Sequence, residues 1–246
     1  MKNLELQSFP TDQALAQAAA SAWLETALES VRANGTFCVA LLGGRIVKSF
    51  YSSVVERTRG LHSCLNPVHF FWSDERCVPP DDPESNFRVA RELLFKPLKL
   101  AEGTIHRIRG EADTELAVAA AETELCRVAP LNADGQPVLD LILLGMGEDG
   151  HVASLFPGEP TAVMSSRAAY RAVTAVKPPP RRITMGYATI AAAKQVWVLA
   201  SGLGKEAALR ESLGPDAETP LARVLRSRQN TRIFTDVRLG YRGSQK

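Results

Sequence analysis

The chain has 246 residues, enough for a sizeable hydrophobic core, and its 45% apolar and 23% charged residues are typical of globular proteins. A formal net charge of +2 gives no electrostatic reason to expect binding to nucleic acid or to a membrane surface. No apolar run approaches the roughly 20 residues that span a bilayer, and the first residues lack the apolar core of a signal peptide, so we expect a cytoplasmic protein.

The first half of the chain alternates short apolar runs with longer amphipathic stretches. A helix over residues 12–34 is predicted to begin after Thr11, as its cap, and to end at Gly35. The other elements predicted here are a strand at 36–42, a helix at 46–60, a strand at 68–72, a helix at 83–95 capped near Ser85 or Asn86, a helix at 113–129 and a strand at 138–145.

The second half continues this alternation. Its predicted elements are a strand at 170–176, a helix at 181–193 capped by Thr184, a strand at 194–202, a helix at 205–213, a short helix at 220–227 and a strand at 231–236. Strands separated by helices predict one α/β domain over residues 1–246, with a mainly parallel sheet and helices on both faces. Ligands of such folds bind at the carboxyl ends of the strands. Four of these ends, near residues 43–44, 73–76, 145–147 and 201–202, carry small or charged residues.

The cysteines and histidines do not predict a metal site. Neither the C-x-x-C nor the H-E-x-x-H spacing occurs, and the four histidines are dispersed along the sequence. Cys38 lies in an apolar run and Cys126 in a predicted helix, so we expect reduced, mostly buried thiols.

The most distinctive stretch reads GMGEDGH, from Gly145 to His151. Its three glycines, Gly147 among them, allow positive φ and let backbone amides face a ligand. Residues two apart in an extended segment point the same way, so Asp149 and His151 are expected on one side of the loop. A carboxylate beside an imidazole fixes the ring tautomer and prepares a general base. The alternative is a turn whose histidine only satisfies backbone groups.

Two other strand ends carry candidate anion ligands. Asp74, Glu75 and Arg76 follow the strand at 68–72. The Arg76 guanidinium suits a phosphate or carboxylate, and a surface ion pair is the alternative. Gly43 and Gly44 lie between a strand and a helix, where helix N-terminal amides would bind an anion, and a plain turn is the alternative. The stretch around this glycine pair matches neither G-x-x-x-x-G-K-[ST] nor G-x-G-x-x-G.

Basic residues mark two further candidate positions. Lys177, Arg181 and Arg182 precede Thr184, the predicted cap. Because cations beside a helix N-terminus oppose the helix dipole, a bound phosphate would explain them, and a solvated basic turn is the alternative. Lys205 opens a predicted helix after a glycine-rich strand end, where it either reaches the site or lies at the surface.

Together these stretches resemble the 6-phosphogluconolactonase family. That family shows a strand followed by S-G-G, then D-E-R-x-V-P with S-N downstream, G-x-G-x-D-G-H-x-A-S-L-F-P, R-[IL]-T and a strand ending in G-x-x-K. The chain matches this order from about Gly43 to Lys205, and residues 145–157 match throughout. The remaining matches are Asp74–Pro79, Ser85-Asn86, Arg182–Thr184 and Gly202–Lys205.

The resemblance implies hydrolysis of 6-phospho-D-glucono-1,5-lactone to 6-phosphogluconate in the oxidative pentose phosphate pathway, with no metal or organic cofactor. It also implies a modified Rossmann-like fold, shared with the glucosamine-6-phosphate deaminases. In those enzymes a similar G-x-G-x-D-G-H continues with A-F-N-E-P. Here the continuation is Ala153 to Pro157, so the ring-opening Glu has no counterpart and a deaminase or isomerase is disfavoured.

Roles for the candidate residues follow from their chemistry and from the resemblance. His151 is the expected general base and Asp149 its orienting partner. Amides of Gly43 and Gly44 or a nearby cation would stabilise the oxyanion. The resemblance places the phosphate among basic side chains, for which we expect Arg76, Arg182 and Lys205. Asp74, Gly147 and Arg45 complete the expected substrate contacts.

The chain departs from the family at the first glycine pair. Where the family often has S-G-G-S, this chain has Leu42-Gly43-Gly44-Arg45. Either Arg45 points into the site as an anion ligand, or the loop and with it activity or substrate choice are altered. The second account leaves open a catalytically weak sugar-phosphate-binding protein. The sequence leaves open a monomer or small homo-oligomer and an association with glucose-6-phosphate dehydrogenase.

Overall fold

The computed structural model describes residues 4–60 and 62–239. The strands are β1 (Leu4–Ser8), β2 (Phe37–Leu41), β3 (Val68–Trp72), β4 (Asp74–Arg76), β5 (Leu141–Gly145), β6 (Tyr170–Thr174), β7 (Arg181–Met185), β8 (Gln195–Ala200) and β9 (Thr231–Thr235). The helices are α1 (Asp12–Asn34), α2 (Val47–Arg57), α3 (Asn86–Ala90), α4 (Lys96–Leu98), α5 (Thr114–Val128), α6 (Thr161–Met164), α7 (Tyr187–Ala192), α8 (Glu206–Ser212) and α9 (Pro220–Ser227). A π-helical turn, Arg91–Phe95, joins α3 to α4, and 3₁₀ turns lie at His62–Leu65 and Glu102–Thr104.

Six strands form a parallel sheet in the order β1-β9-β8-β5-β2-β3. All five residues of β2 are buried, as are the first four of β5. Because successive side chains of a strand point to opposite faces, both faces of this sheet are covered. The predicted α/β class with a mainly parallel sheet is therefore confirmed.

Local signals set the helix boundaries where the sequence predicted them. The Thr11 hydroxyl accepts a hydrogen bond from the Ala14 amide at 3.1 Å, and Gly35, with φ +79°, ends α1 by donating to the Val31 carbonyl. Ser85 caps α3 by accepting from the Arg88 amide at 3.2 Å. This cap fixes the start of α3 at Asn86.

A second, three-stranded antiparallel sheet in the order β4-β7-β6 corrects the sequence analysis. The helix predicted at 181–193 is wrong in its first half, because Arg181–Met185 is strand β7 and α7 begins only after Gly186. Thr184 is no helix cap, since its buried hydroxyl accepts a hydrogen bond from the Ser154 amide at 3.2 Å. Pairing with β4, more than 100 residues earlier, makes residues 181–185 a strand, and only the alanine-rich part that follows forms α7.

The cysteines are free, and only Cys38 is fully buried, whereas Cys64, Cys77 and Cys126 are half-buried. The expectation of mostly buried thiols is therefore wrong for three of the four. Within residues 4–60 and 62–239, no helix has both the length and the apolar character needed to cross a bilayer.

Candidate active site

A cavity of about 100 Å³ lies where the predicted strand ends meet. Eight of the ten predicted site residues line it: Gly43, Gly44, Arg45, Asp74, Arg76, His151, Arg182 and Lys205. The other two, Gly147 and Asp149, adjoin His151 and do not line the cavity. The parallel sheet and the small antiparallel sheet thus bring all ten together.

His151 and Asp149 form a hydrogen-bonded pair on one side of their loop, as predicted. The Asp149 Oδ1 atom lies 2.6 Å from His151 Nδ1 and also accepts the His151 amide at 3.2 Å. A carboxylate only accepts, so the neutral imidazole carries its proton on Nδ1 and keeps a lone pair on Nε2. The ring stays accessible, with 29% of its side chain exposed.

The charge of Asp149 is maintained although the carboxyl is partly buried. Burial alone would raise its pKa, but the His151 amide and ring together lower it below its usual value. An ionised Asp149 stabilises a protonated His151 ring. The pair is therefore suited to take up a proton and release it again.

Gly147 is required for space under the imidazole. A Cβ atom at Gly147 would lie 2.0 Å from His151 Nδ1 and 2.7 Å from Asp149 Oδ1. Of the three glycines in GMGEDGH, only Gly150 has positive φ, at +78°, so the expectation that Gly145 and Gly147 serve backbone freedom is wrong. The Gly147 amide also donates to the His151 carbonyl at 2.8 Å instead of facing the cavity.

Two guanidinium groups face each other across the small sheet. The register of β4 and β7 places Arg76 directly opposite Arg182, and Asp74 opposite Thr184. Side chains two apart on a strand share a face, so Asp74 and Arg76 point to the cavity together. Like charges directly opposite on a sheet destabilise it, whereas an anion bound between them offsets the repulsion. This register places the two guanidinium groups where both could contact one anion.

Neighbouring groups hold both guanidinium groups in place. Arg76 donates to the Glu84 carbonyl at 2.7 Å and lies 3.3 Å from the Glu84 carboxylate. Arg182 donates to the carbonyls of Pro179 and Lys177, and its Cζ atom lies 5.8 Å from the centroid of the Phe156 ring. Burial lowers the pKa of Arg182 most, and the positive charge of Arg76 lowers it further.

Arg45 and Lys205 form a second cationic pair in the same cavity. The Arg45 guanidinium reaches the glycine-rich end of β8, since its Nη2 atom would lie 3.7 Å from a Cβ at Gly202. Burial lowers the pKa of Lys205 most, and the positive charge of Arg45 lowers it further. The negative charges of Asp236 and Glu148 raise it, but by less. Of the two accounts of Arg45, the geometry favours the one in which it faces the site.

Asp74 is fixed by side chains that the sequence analysis did not assign to the site. Ser154 donates to Asp74 Oδ2 at 2.7 Å, and Asn86 Nδ2 donates to the Asp74 carbonyl at 2.9 Å. The Asn86 amide group packs against Gly43, where an added Cβ would lie 2.5 Å from Asn86 Oδ1. Asp74, Ser154 and Asn86 are all buried.

Glu75 anchors the start of α3 beneath this network. Its carboxylate accepts the amides of Arg76 and Asn86 at 2.8 Å each and that of Phe87 at 2.7 Å, with the Ser85 hydroxyl at 3.2 Å. Burial raises the pKa of Glu75 to about 7 against the opposing effect of these donors.

Ala153 and Phe156 complete the site. Ala153 lines the cavity with φ +50°, a left-handed conformation that is uncommon for alanine. The Phe156 ring lies 5.1 Å from the His151 ring and 5.8 Å from the Arg182 guanidinium, so it contacts both residues. Ala153, Ser154 and Phe156 all belong to the A-S-L-F-P continuation, and Asn86 to S-N, so the motifs contained these residues without revealing their roles.

A model of the glucosamine-6-phosphate isomerases/6-phosphogluconolactonase family matches residues 10–234. The chain belongs to this family. The match includes every predicted site residue, and it confirms the resemblance that the motifs carried.

Individual relatives extend this result. The chain is 32% identical over 237 residues to a 6-phosphogluconolactonase of Mycobacterium tuberculosis, covering 94% of this chain and 95% of the relative. A solved structure of 6-phosphogluconolactonase from Trypanosoma brucei is 28% identical with a TM-score of 0.84, covering 96% of this chain and 97% of that one. The corresponding enzyme from Thermotoga maritima is 26% identical with a TM-score of 0.80, covering 96% and 99%.

The fold also occurs in a glucosamine-6-phosphate deaminase. A monomeric glucosamine-6-phosphate deaminase aligns with a TM-score of 0.78 at 20% identity, covering 94% of this chain and 96% of that one. These structural likenesses confirm the fold that the resemblance implied.

His69 and His106 are far apart in the sequence but contact each other outside this site. His69 Nδ1 lies 2.9 Å from His106 Nε2, and His106 Nδ1 lies 2.7 Å from Glu124 Oε1. Among the described residues, no group of three or more His, Cys, Asp or Glu side chains is arranged to hold a metal ion.

Proposed function

We propose that the protein hydrolyses 6-phospho-D-glucono-1,5-lactone to 6-phospho-D-gluconate. The observation that carries this proposal is the accessible His151–Asp149 pair beside a cavity lined by four cations. The names of the relatives support the lactone as substrate. Motif residues Gly145 to Pro157 support it further, since they lack the glutamate of the deaminases.

His151 acts as the general base through Nε2, because Nδ1 is engaged by Asp149. Nε2 removes a proton from water as the water oxygen bonds to C1, and the carbonyl electron pair moves to the carbonyl oxygen. When this oxyanion collapses, the bond between C1 and the ring oxygen breaks. The imidazolium then returns its proton to the ring oxygen, which leaves as a hydroxyl. The carboxylic acid so formed releases its proton to solvent to give 6-phosphogluconate, so atoms and charge balance without a cofactor.

The cationic side chains bind different parts of the substrate. We assign the phosphate to Arg76 and Arg182, whose like charges face each other across β4 and β7. We assign the oxyanion to the amides of Gly43 and Gly44 with help from Arg45 or Lys205. Asp74, which is held by Ser154, is placed to accept a hydrogen bond from a sugar hydroxyl.

The decay of freshly generated lactone, corrected for spontaneous hydrolysis, tests the reaction. Acceleration by the protein supports the lactonase. Release of ammonia from glucosamine 6-phosphate would indicate a deaminase instead. Binding of 6-phosphogluconate without acceleration of lactone decay would indicate the sugar-phosphate-binding protein that Arg45 left open.

We further propose that the chain is one domain and acts in the cytoplasm. The pairing of β1 with β9, which joins the two ends of the described chain, supports one domain. The low net charge supports a small-molecule substrate without nucleic acid or membrane binding. A monomer or small homo-oligomer, with or without bound glucose-6-phosphate dehydrogenase, is compatible with this activity.

A further inference from the structure

Glu84 makes two contacts with Arg76, one of the two arginines to which we assign the phosphate. Arg76 Nη1 donates to the Glu84 carbonyl at 2.7 Å and to the Glu84 carboxylate at 3.3 Å. A guanidinium Nη atom carries two hydrogens, so Glu84 engages both hydrogens of Nη1. The atoms of Arg76 that remain for a ligand are Nε and Nη2.

Burial leaves one edge of the Arg76 guanidinium for a phosphate. A guanidinium binds a phosphate best through two parallel hydrogen bonds, given either by Nε and Nη2 or by Nη1 and Nη2. Arg76 Nε is buried, so a phosphate oxygen in the cavity does not reach it. The phosphate must therefore use Nη1 and Nη2, and Glu84 has to release one hydrogen of Nη1.

The carboxylate of Glu84 is the contact that is free to leave. Its carbonyl is fixed, because the amides of Glu84 and Ser85 both donate to Asp82, at 2.8 and 3.0 Å. The Glu84 side chain is 57% exposed, and its contact with Arg76 is the longer of the two. Because an exposed ion pair of this kind contributes little, the carboxylate turns to solvent at small cost. The carbonyl then continues to hold Arg76.

The charges of the site favour the same exchange. Burial and the charge of Arg76 lower the pKa of Arg182, and the charges of Asp74 and Glu84 oppose this effect. These four ionised side chains carry no net charge as a group. A phosphate with about −1.5 to −2 charges at pH 7 makes the group negative unless one acid moves away. Asp74 is buried and accepts a hydrogen bond from Ser154 at 2.7 Å, so Glu84 is the acid that moves.

We propose that the Glu84 carboxylate competes with the substrate phosphate for Arg76 and turns to solvent when the phosphate binds. Glu84 thereby sets how tightly the site holds a phosphorylated ligand. It weakens the binding of substrate and product alike, since both carry the phosphate. Unphosphorylated sugars are unaffected, because they do not occupy Arg76. This role rests on the proposed function, in which Arg76 binds the phosphate.

Calorimetric titration of wild-type and Glu84→Gln protein with 6-phosphogluconate and with inorganic phosphate tests this role. Glutamine keeps the length of the side chain and removes its charge. We expect both ligands to bind about three- to tenfold more tightly to the variant, the range for removing one charge near an almost divalent anion in solvent. KM for the phosphorylated lactone should fall as well, whereas KM for unphosphorylated glucono-1,5-lactone should stay the same.

Glu5→Gln is the matched control, because Glu5 also forms an exposed ion pair with an arginine, Arg232, at 2.8 Å. It lies near the start of β1, whereas the cavity lies at the carboxyl ends of the strands. The control adds the same charge to the protein and should leave every affinity unchanged. An unchanged or weaker phosphate affinity in Glu84→Gln, or an equal gain in the control, would overturn the competition.

The competition and the lactonase activity fail separately. If Glu84→Gln binds phosphate more tightly but neither protein hydrolyses the lactone, the proposed function is wrong and the competition stands. If the wild type hydrolyses the lactone and Glu84→Gln shows no gain in affinity, the competition is wrong and the function stands. Absence of 6-phosphogluconate and phosphate binding in both proteins would overturn the competition together with the assignment of the phosphate to Arg76.

Discussion

Replacing Gly147 with alanine should disable the base without unfolding the protein. The new Cβ would lie 2.0 Å from His151 Nδ1, 2.1 Å from Cε1 and 2.7 Å from Asp149 Oδ1, so the ring and the carboxylate cannot keep their contact. Overpacking costs about 1–3 kcal/mol where atoms cannot move, but His151 is 29% exposed and its ring is free to swing into solvent. The stability loss should therefore be at the low end of that range.

The catalytic loss should be much larger. Misplacing a general base removes roughly 10²–10⁴-fold in kcat, equivalent to about 3–5 kcal/mol of transition-state stabilisation. The assay is the initial rate of lactone hydrolysis, corrected for spontaneous decay, with the thermal unfolding midpoint measured on the same samples.

Gly103→Ala is the matched control, because a Cβ there meets nothing within 4 Å and its φ lies outside the left-handed region. The control should keep full activity. A folded Gly147→Ala protein with undiminished kcat would refute the role assigned to the His151–Asp149 contact.

Three further predictions concern the cations and the buried acid. Arg76→Gln should raise KM for the phosphorylated lactone about 10–100-fold but leave KM for unphosphorylated glucono-1,5-lactone unchanged, and an equal rise for both would contradict the phosphate assignment. Arg45→Ser, which restores the family's residue, should lower kcat and kcat/KM together by about tenfold, whereas an unchanged kcat would remove Arg45 from the oxyanion. Burial raises the pKa of Glu75 from 4.5 to about 7, so folding takes up a proton between these values and stability falls as the pH rises through them. The Glu75→Gln side chain cannot ionise. The unfolding free energy that the variant loses relative to wild type should therefore be about 3 kcal/mol larger at pH 4.5 than at pH 8. Denaturant titrations that give the same loss at both pH values would contradict this.

Local chemistry explains what the sequence could predict. Thr11 and Gly35 bound α1 through hydrogen bonds within a few residues, and Asp149 and His151 are two positions apart, so short-range rules were sufficient for both. The parallel sheet followed from buried strands separated by helices.

Long-range contacts explain what it could not predict. Strand β7 depends on pairing with β4, and the short strand β1 depends on β9 at the other end of the chain. The juxtaposition of Arg76 with Arg182 follows from the β4–β7 register, which no local pattern encodes. The packing of Asn86 on Gly43 and of His69 on His106 likewise arises only after folding.

The central claim is that His151 removes the proton from water. It is tested most directly by lactone hydrolysis with wild-type and His151→Ala protein, together with the affinity of each for 6-phosphogluconate. The account predicts that kcat falls by roughly 10²–10⁴-fold while product affinity stays within a few fold, because the cations that bind the phosphate remain. A variant that binds product and hydrolyses the lactone at the wild-type rate would contradict it.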